Sequence, residues 1–166
     1  MIKIKSDKII IGESVFDGYV YAMNGKIHWE LRDTSSQILQ AKTQEISVDA
    51  LSVKWLDKVV FDGLDPEAQH LHFTLEVNGE TVSENSVLFT VAKYHRFQNP
   101  HLRYEIQDGV IVVRSDCYAK AVQIEGVDGD VLLEDNFFDM EKGEKRIRIL
   151  SGNATKLSLR SVYDIR

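Results

Sequence analysis

Carboxylates are the most abundant side chains in this chain that could perform catalysis. The sequence has 26 acidic residues, and hydrolysis of a glycosidic bond needs two carboxylates about 5–9.5 Å apart. With so many acids some pair always meets that distance, so no catalytic pair is identified and solvated strand faces and turns are predicted. The densest acidic stretch comprises Asp128, Asp130, Glu134, Asp135 and Asp139. It lacks the spacing of a calcium-binding loop, which favours a strand with acidic turns at both ends over an adventitious calcium site.

Histidines and a cysteine are the other candidates for chemistry. His70 and His72 would lie on one face of a strand in a geometry that a metal could use. Only His95 or His101 could add a ligand through the fold, so polar residues on a solvent-facing strand are expected. Cys117 is predicted to be a buried, inert thiol, and the sequence has no Gly-x-Ser-x-Gly motif for a nucleophilic serine. We therefore assign no catalytic, cofactor-binding or metal-binding residue.

Aromatic residues could bind sugars or fill a core. Trp29 and Trp55 are in phase with aliphatic neighbours, which predicts core packing rather than an exposed stacking platform. Phe137 and Phe138 would point to opposite faces of one strand. One of them must then leave its own core, and we expect it to mark a surface that meets another domain.

Composition limits the classes of partner. The 166 residues carry a formal net charge of −6, which argues against a nucleic-acid groove because such a groove needs clustered Lys and Arg. No apolar run approaches the 18 or so residues of a membrane span, and the N-terminus does not look like a signal peptide. A single cysteine cannot form an internal disulfide. A soluble protein is expected, with a cytoplasmic or periplasmic location left open.

Hydrophobic residues alternate with polar ones along most of the chain. Ile27, Trp29 and Leu31 show this period of two, and Asn-Gly and Asp-Gly steps between such runs are typical of hairpin turns. Only Asp49–Leu64 could contain a short helical turn. The pattern predicts an all-β fold of antiparallel sandwiches.

A domain boundary is predicted near residue 94. The stretch 94–102 loses the alternation and contains Pro100, which cannot donate to a sheet ladder. We therefore expect two domains in tandem, residues 1–94 and 95–166. The second, at about 70 residues, is near the lower size limit for a self-sufficient core, so it is expected to depend on the first domain or on another partner.

The most specific motif lies between Leu132 and the C-terminus. Residues 135–139 read Asp-Asn-Phe-Phe-Asp, Gly143-Glu144 follows, and residues 157–164 read Leu-Ser-Leu-Arg-Ser-Val-Tyr-Asp. This pattern resembles the last immunoglobulin-like domain of the β-mannosidases of glycoside hydrolase family 2, whose signature is Asp-Asn-Tyr/Phe-Phe-Asp-Leu-x-Pro-Gly-Glu; Lys142 replaces the usual proline. Residues 115–120 resemble the Ser-Asp-x-Phe-Ala-Lys segment of the same domain.

The first half resembles the preceding sandwich domain of those enzymes, more loosely. Gly25–Asp33 is similar to its opening strand and turn, and Glu84–Phe89 to its closing strand. The resemblance therefore covers nearly the whole chain, and it is most specific over about residues 132–164.

The resemblance implies a part of an enzyme without its catalytic centre. The family's activity resides on a TIM barrel of about 250 residues, with two strand-end glutamates, and this chain has no alternating strand–helix pattern. We expect a non-catalytic C-terminal fragment of a retaining β-mannosidase that supports the barrel, its intramolecular partner. The chain alone is not expected to be an enzyme or to bind a cofactor, and a homodimer is left open.

Two other classes of function remain as alternatives. A carbohydrate-binding module would display Trp29, Trp55 or several tyrosines on an exposed platform. A free-standing adhesion module would instead dimerise through an exposed apolar patch.

Overall fold

The structure, a computed structural model, describes residues 22–52, 54, 56 and 59–165, together with the backbone of residues 3–5 and 8–10. The strands in this part of the chain are β1 Lys3–Lys5, β2 Lys8–Ile10, β3 Met23–Asp33, β4 Ile38–Val48, β5 Gln69–Val77, β6 Glu80–Leu88, β7 Arg103–Gln107, β8 Val110–Ser115, β9 Ala119–Gly126, β10 Val131–Leu133, β11 Phe138–Met140, β12 Gly143–Gly152 and β13 Leu157–Arg160. Two 3-10 helices, Ala92–Tyr94 and Val162–Ile165, are the helical elements of the described residues. The prediction of an all-β, antiparallel fold is confirmed.

Contacts divide the chain into two units. The first comprises Met1–Leu31 and Ile38–Phe89, and the second comprises Arg32–Gln37 and Thr90–Arg166. The last two residues of β3 and the turn to β4 thus belong to the second unit, although the rest of these two strands belongs to the first.

A four-stranded sheet in the order β4-β3-β5-β6 forms the body of the first unit, while β1 and β2 make a separate antiparallel pair. Apolar side chains at alternate positions of β3 and β5 lie on one face, where Leu31, Leu71 and Phe73 are buried. The prediction that Trp29 packs in the core is confirmed, because its ring meets Phe61 edge to face with the centroids 5.4 Å apart. Trp55 lies outside the described residues.

Asn-Gly and Asp-Gly steps predict tight turns, which is confirmed at Asn78-Gly79 and Asp108-Gly109 but wrong at Asn24-Gly25, because this step lies inside β3. The β5–β6 hairpin turns at Asn78-Gly79, whose φ angles of 54° and 83° suit a type I′ turn. Asp49–Leu64, the segment in which a short helical turn was considered, contains a turn at Leu51 and no helix among its described residues. No helix in the described part of the chain is long and apolar enough to cross a membrane.

Two sheets face each other in the second unit. Their orders are β10-β12-β8-β7 and β11-β9-β13, and the core between them draws side chains from both. Its buried members are Ile111, Val113, Ala119, Val122, Ile124, Phe138, Met140, Ile147 and Leu157. Four strands packed on three is the arrangement of an immunoglobulin-like sandwich.

Candidate functional site

Asp139 fixes the start of strand β9. It lies in β11, a three-residue strand that pairs with β9 across a register shift. Its Oδ1 accepts a hydrogen bond from the backbone N–H of Ala121 at 2.9 Å, and its Oδ2 lies 2.5 Å from Lys120 Nζ. Ala121 has a left-handed φ of 50°, so the carboxylate holds a backbone conformation that costs energy on its own.

Asn136, which precedes β11 in the motif, also binds strand β9. Its Oδ1 accepts the N–H of Ile124 at 2.8 Å, and its Nδ2 donates to the carbonyl of Ile124 at 2.9 Å. The side-chain amide therefore pairs with β9 as the backbone of a neighbouring strand would. Oδ1 also accepts the N–H of Phe137 at 3.0 Å, which orders the residue before β11.

The two phenylalanines of the motif have opposite environments. Phe138 is 6% exposed in the core, whereas Phe137 is 61% exposed. The prediction that one of them leaves its own core is confirmed, but the predicted cause is wrong. Phe137 does not face outward from a regular strand: it precedes β11 and has a left-handed φ of 60°, which costs about 1–2 kcal/mol in a residue with a Cβ.

Four acids of the acidic stretch flank strand β10, which agrees with the predicted strand between acidic turns, whereas Asp139 lies in β11. Strand β10 runs between acidic turns, and Glu134 beyond it lies 3.2 Å from the guanidinium of Arg148. Asp135 Oδ2 lies 3.2 Å from Lys145 Nζ, which in turn lies 4.5 Å from the ring centroid of Phe138. Among the described residues, no three His, Cys, Asp or Glu side chains are grouped so that they could hold a metal ion.

The Ser-Asp-Cys segment after β8 binds the stretch that was predicted to be the domain boundary. The carbonyl of Pro100 accepts the N–H of Asp116 at 2.9 Å, and the Ser115 hydroxyl, which donates to the carbonyl of Cys117 at 2.6 Å, lies 3.3 Å from the Pro100 carbonyl oxygen. The Sγ of Cys117 lies 3.5 Å from the carbonyl oxygen of Asn99. These bonds attach residues 99–100 to the connection between β8 and β9.

An aromatic cluster buries the same stretch within the second unit. The ring centroid of Phe97 lies 4.5 Å from that of His95 and 5.9 Å from that of Tyr118, onto which it stacks. All three residues are buried. Residues 95–100 therefore pack as part of the second unit.

The pKa values of Asp116 and Cys117 in this region are shifted. The Arg103 guanidinium donates two hydrogen bonds to the Asp116 carboxylate, at 2.7 and 3.2 Å, and lowers its pKa below 3.8. Burial raises the pKa of the Cys117 thiol above 9.0. At neutral pH the thiol is therefore protonated and a poor nucleophile, which agrees with the predicted inert cysteine.

The histidines considered as metal ligands are distributed over both units. His70 and His72 belong to the first unit, and His95 and His101 to the second. The prediction that His70 lies on a solvent-facing strand face is wrong, since its exposure is 0%. His101 Nδ1 lies 3.4 Å from Asp116.

The polar groups of this arrangement bind backbone. Asn136 and Asp139 bind β9, and the N–H of Asp116 binds the boundary stretch. The sequence motif was recognised, but these roles were not. Asn and Asp residues three apart around an aromatic pair are the signal that could have indicated them, because short polar side chains readily bond to nearby backbone groups.

Protein-family models match both halves of the chain. Residues 20–94 match the Mannosidase Ig/CBM-like domain, and residues 97–165 match the Ig-fold domain of the mannosidase type. No curated protein sequence matches the chain.

Solved structures of two glycoside hydrolases share the fold. The β-D-mannosidase of Dictyoglomus thermophilum aligns with 97% of this chain at 18% identity and a TM-score of 0.77, and the chain covers 21% of that protein. The exo-chitosanase of Amycolatopsis orientalis aligns with 89% of the chain at 13% identity and a TM-score of 0.57, with 23% of that protein covered. The chain thus spans less than a quarter of the length of either structure.

Proposed function

The chain consists of a mannosidase Ig/CBM-like domain followed by a mannosidase-type Ig-fold domain, and on this premise we propose that it is the non-catalytic accessory part of a β-mannosidase. The parent enzyme releases terminal β-mannosyl residues with retention of configuration. The accessory part supports the catalytic TIM barrel, which lies elsewhere in the parent polypeptide.

The order of the two domain matches is the observation that carries this proposal. Both are mannosidase-associated types, and they follow each other with only residues 95 and 96 between them. The small share of each structural relative that the chain covers also supports an accessory role, because a catalytic barrel needs about 250 residues of its own.

The use of the side chains in the second unit supports a structural role. The polar residues of its most specific motif bind strand β9, and its thiol is buried and protonated. A domain built in this way gives a rigid body that can support a larger partner.

Hydrolysis of a chromogenic substrate tests the absence of catalysis. We expect the purified chain to release no 4-nitrophenol from 4-nitrophenyl β-D-mannopyranoside above the rate of a buffer blank, with an active β-mannosidase as positive control. Turnover that stays with the chain through successive purification steps would contradict the proposal.

The DNA upstream of the Met1 codon tests the accessory role itself. An in-frame extension of several hundred codons that predicts alternating strands and helices, with two strand-end glutamates, is expected. A stop codon followed by a ribosome-binding site directly before Met1 would show a free-standing protein and overturn the proposal.

A further inference from the structure

Polar side chains cover the outer face at one end of the first unit's sheet. They belong to the start of β3, to the ends of its sheet neighbours β4 and β5, and to the turn that follows β5. Those in the strands alternate with residues of the core formed by Ile27, Ile46 and Leu75, so they lie on the face opposite that core, and Asn78 follows in the turn. The residues are Asn24, Lys26, Glu45, Ser47, Glu76 and Asn78.

These side chains line a cleft of about 580 Å³, to which Lys54, Ile46 and the glycines at 25 and 79 also contribute. This volume lies within the range of about 300–1,000 Å³ that is usual for ligand sites. Gly25 brings the strands close together here: a Cβ at this position would lie 2.6 Å from the carbonyl oxygen of Glu76.

The polar groups of the cleft are not used by the protein itself. Among the described residues, none of these seven side chains has a hydrogen-bond or ion-pair partner. Further along the same face the side chains are paired, because His28 bonds to Thr43 at 2.8 Å and to Glu30 at 3.0 Å. Two lysines and two glutamates in one cleft thus keep their hydrogen-bonding capacity for a ligand.

The balance of these groups indicates the class of ligand. Ammonium groups donate hydrogen bonds, carboxylates accept them, and the amides of Asn24 and Asn78 do both. Sugar hydroxyls also donate and accept, so they can satisfy each type of group. Two positive and two negative charges favour a ligand without net charge, since an anion or a cation would meet a like-charged pair.

We propose that this cleft binds a neutral saccharide through hydrogen bonds. No aromatic side chain is among the described residues that line it, so recognition does not depend on stacking against a ring. The proposal differs from a platform of exposed tryptophans, and it does not rest on the accessory role proposed above.

Backbone amide shifts of the ¹⁵N-labelled chain test the site, with β-1,4-mannotriose and, separately, cellotriose as probes. Titration to about 10 mM exceeds the Kd of a millimolar site about tenfold. At least one probe is expected to shift amides in residues 24–26, 45–47 and 76–79. No shift in these residues with either probe, or shifts confined to the second unit, would overturn the proposal.

Substitutions inside and outside the cleft test whether its side chains bind the saccharide. The double variant Glu45→Gln/Glu76→Gln keeps the shape of the side chains and removes both charged acceptors, so the Kd is expected to rise at least about fivefold. Ser47→Ala, on an exposed position, should weaken binding to a smaller extent. The matched control is Glu125→Gln, an exposed carboxylate of the second unit, which should leave the Kd unchanged.

The two proposals fail independently. Equal Kd values for the chain and the double variant would refute the saccharide cleft and leave the accessory role standing. A stop codon before Met1 would refute the accessory role and leave the cleft standing.

Discussion

Adjacent residues in the motif of the second unit have different tasks. Phe138 fills the core, whereas Phe137 stands in solvent with a left-handed backbone. The backbone strain at Phe137 is maintained because Asn136 accepts its N–H and because β11 begins at the next residue. Two neighbouring phenylalanines thus differ completely in exposure, because one is buried in the core and the other lies in solvent.

Two substitutions distinguish these roles. Phe138→Ala is expected to lower the free energy of unfolding by about 3–5 kcal/mol, because it leaves a cavity in the core. Phe137→Gly should change it by less than about 1 kcal/mol, since relief of the left-handed strain offsets the greater freedom of glycine in the unfolded chain. Urea denaturation of both variants measures the difference, and a loss above about 2 kcal/mol for Phe137→Gly would contradict this assignment.

Asp116 makes the stability of the second unit depend on pH. Because Arg103 lowers its folded pKa below 3.8, the pair stabilises the fold fully above that value and loses its effect as the pH falls through the folded pKa. The stability difference between wild type and Asp116→Asn should therefore shrink as the pH falls below about 4.

Denaturant midpoints between about pH 3 and 7 measure this difference. Asp128→Asn is the control, because Asp128 is exposed and has no ion-pair partner among the described residues. A difference between wild type and Asp116→Asn that grows on acidification would contradict the assigned ion pair.

Strands were predictable from the sequence to the extent that their two faces differ. The alternation of Leu71, Phe73 and Leu75 predicts β5 because one face of that strand is buried. The short strand β11 was not predictable by alternation, because it has only three residues and is held by the side chains of Asn136 before it and Asp139 within it. The burial of His70 was missed for a related reason: period two identifies a face but not whether each end of that face is covered.

Asn136 is expected to secure the docking of β11 on β9. Asn136→Ala leaves the N–H and the carbonyl of Ile124 without their side-chain partner, so we expect the free energy of unfolding to fall by about 1–3 kcal/mol. Hydrogen exchange should show the loss directly, as faster exchange of the Ile124 amide. Asn153→Ala is the control. The side-chain amide of Asn153 lies in the exposed turn after β12 and bonds only within that turn. Unchanged exchange at Ile124 would refute the role of Asn136.

At the scale of the whole molecule, the domain boundary in the sequence differs from the division of the chain by its contacts. Domain matches divide the sequence at residues 94–97, and contacts assign the earlier turn Arg32–Gln37 to the second unit. Within that unit Gln98 Nε2 donates to Thr34 Oγ1 at 3.0 Å, and the N–H of Lys142 donates to Ser36 Oγ at 2.9 Å. No sequence pattern predicts such bonds, because their partners lie 64 and 106 residues apart.

The second unit should be less stable when this turn is absent. A fragment of residues 90–166 lacks both bonds and the weak ion pair of Arg32 with Glu141 at 3.8 Å, so its core is expected to lose about 1–3 kcal/mol. Hydrogen exchange of the buried Val113 amide, compared between fragment and whole chain, measures this loss. The whole chain carrying Ser36→Gly should fall between the two, and equal protection in fragment and whole chain would refute the contribution of the turn.

The amide of Asn136 also has a consequence for association between molecules. Open strand edges offer rows of free N–H and C=O groups that can recruit another chain and start a fibril. Beyond the three residues of β11, the edge of β9 would be such a template, but at Ile124 both backbone groups are already occupied by a side chain. A side chain, unlike a strand, offers no further edge, so an incoming chain cannot pair with Ile124 while Asn136 is bound there.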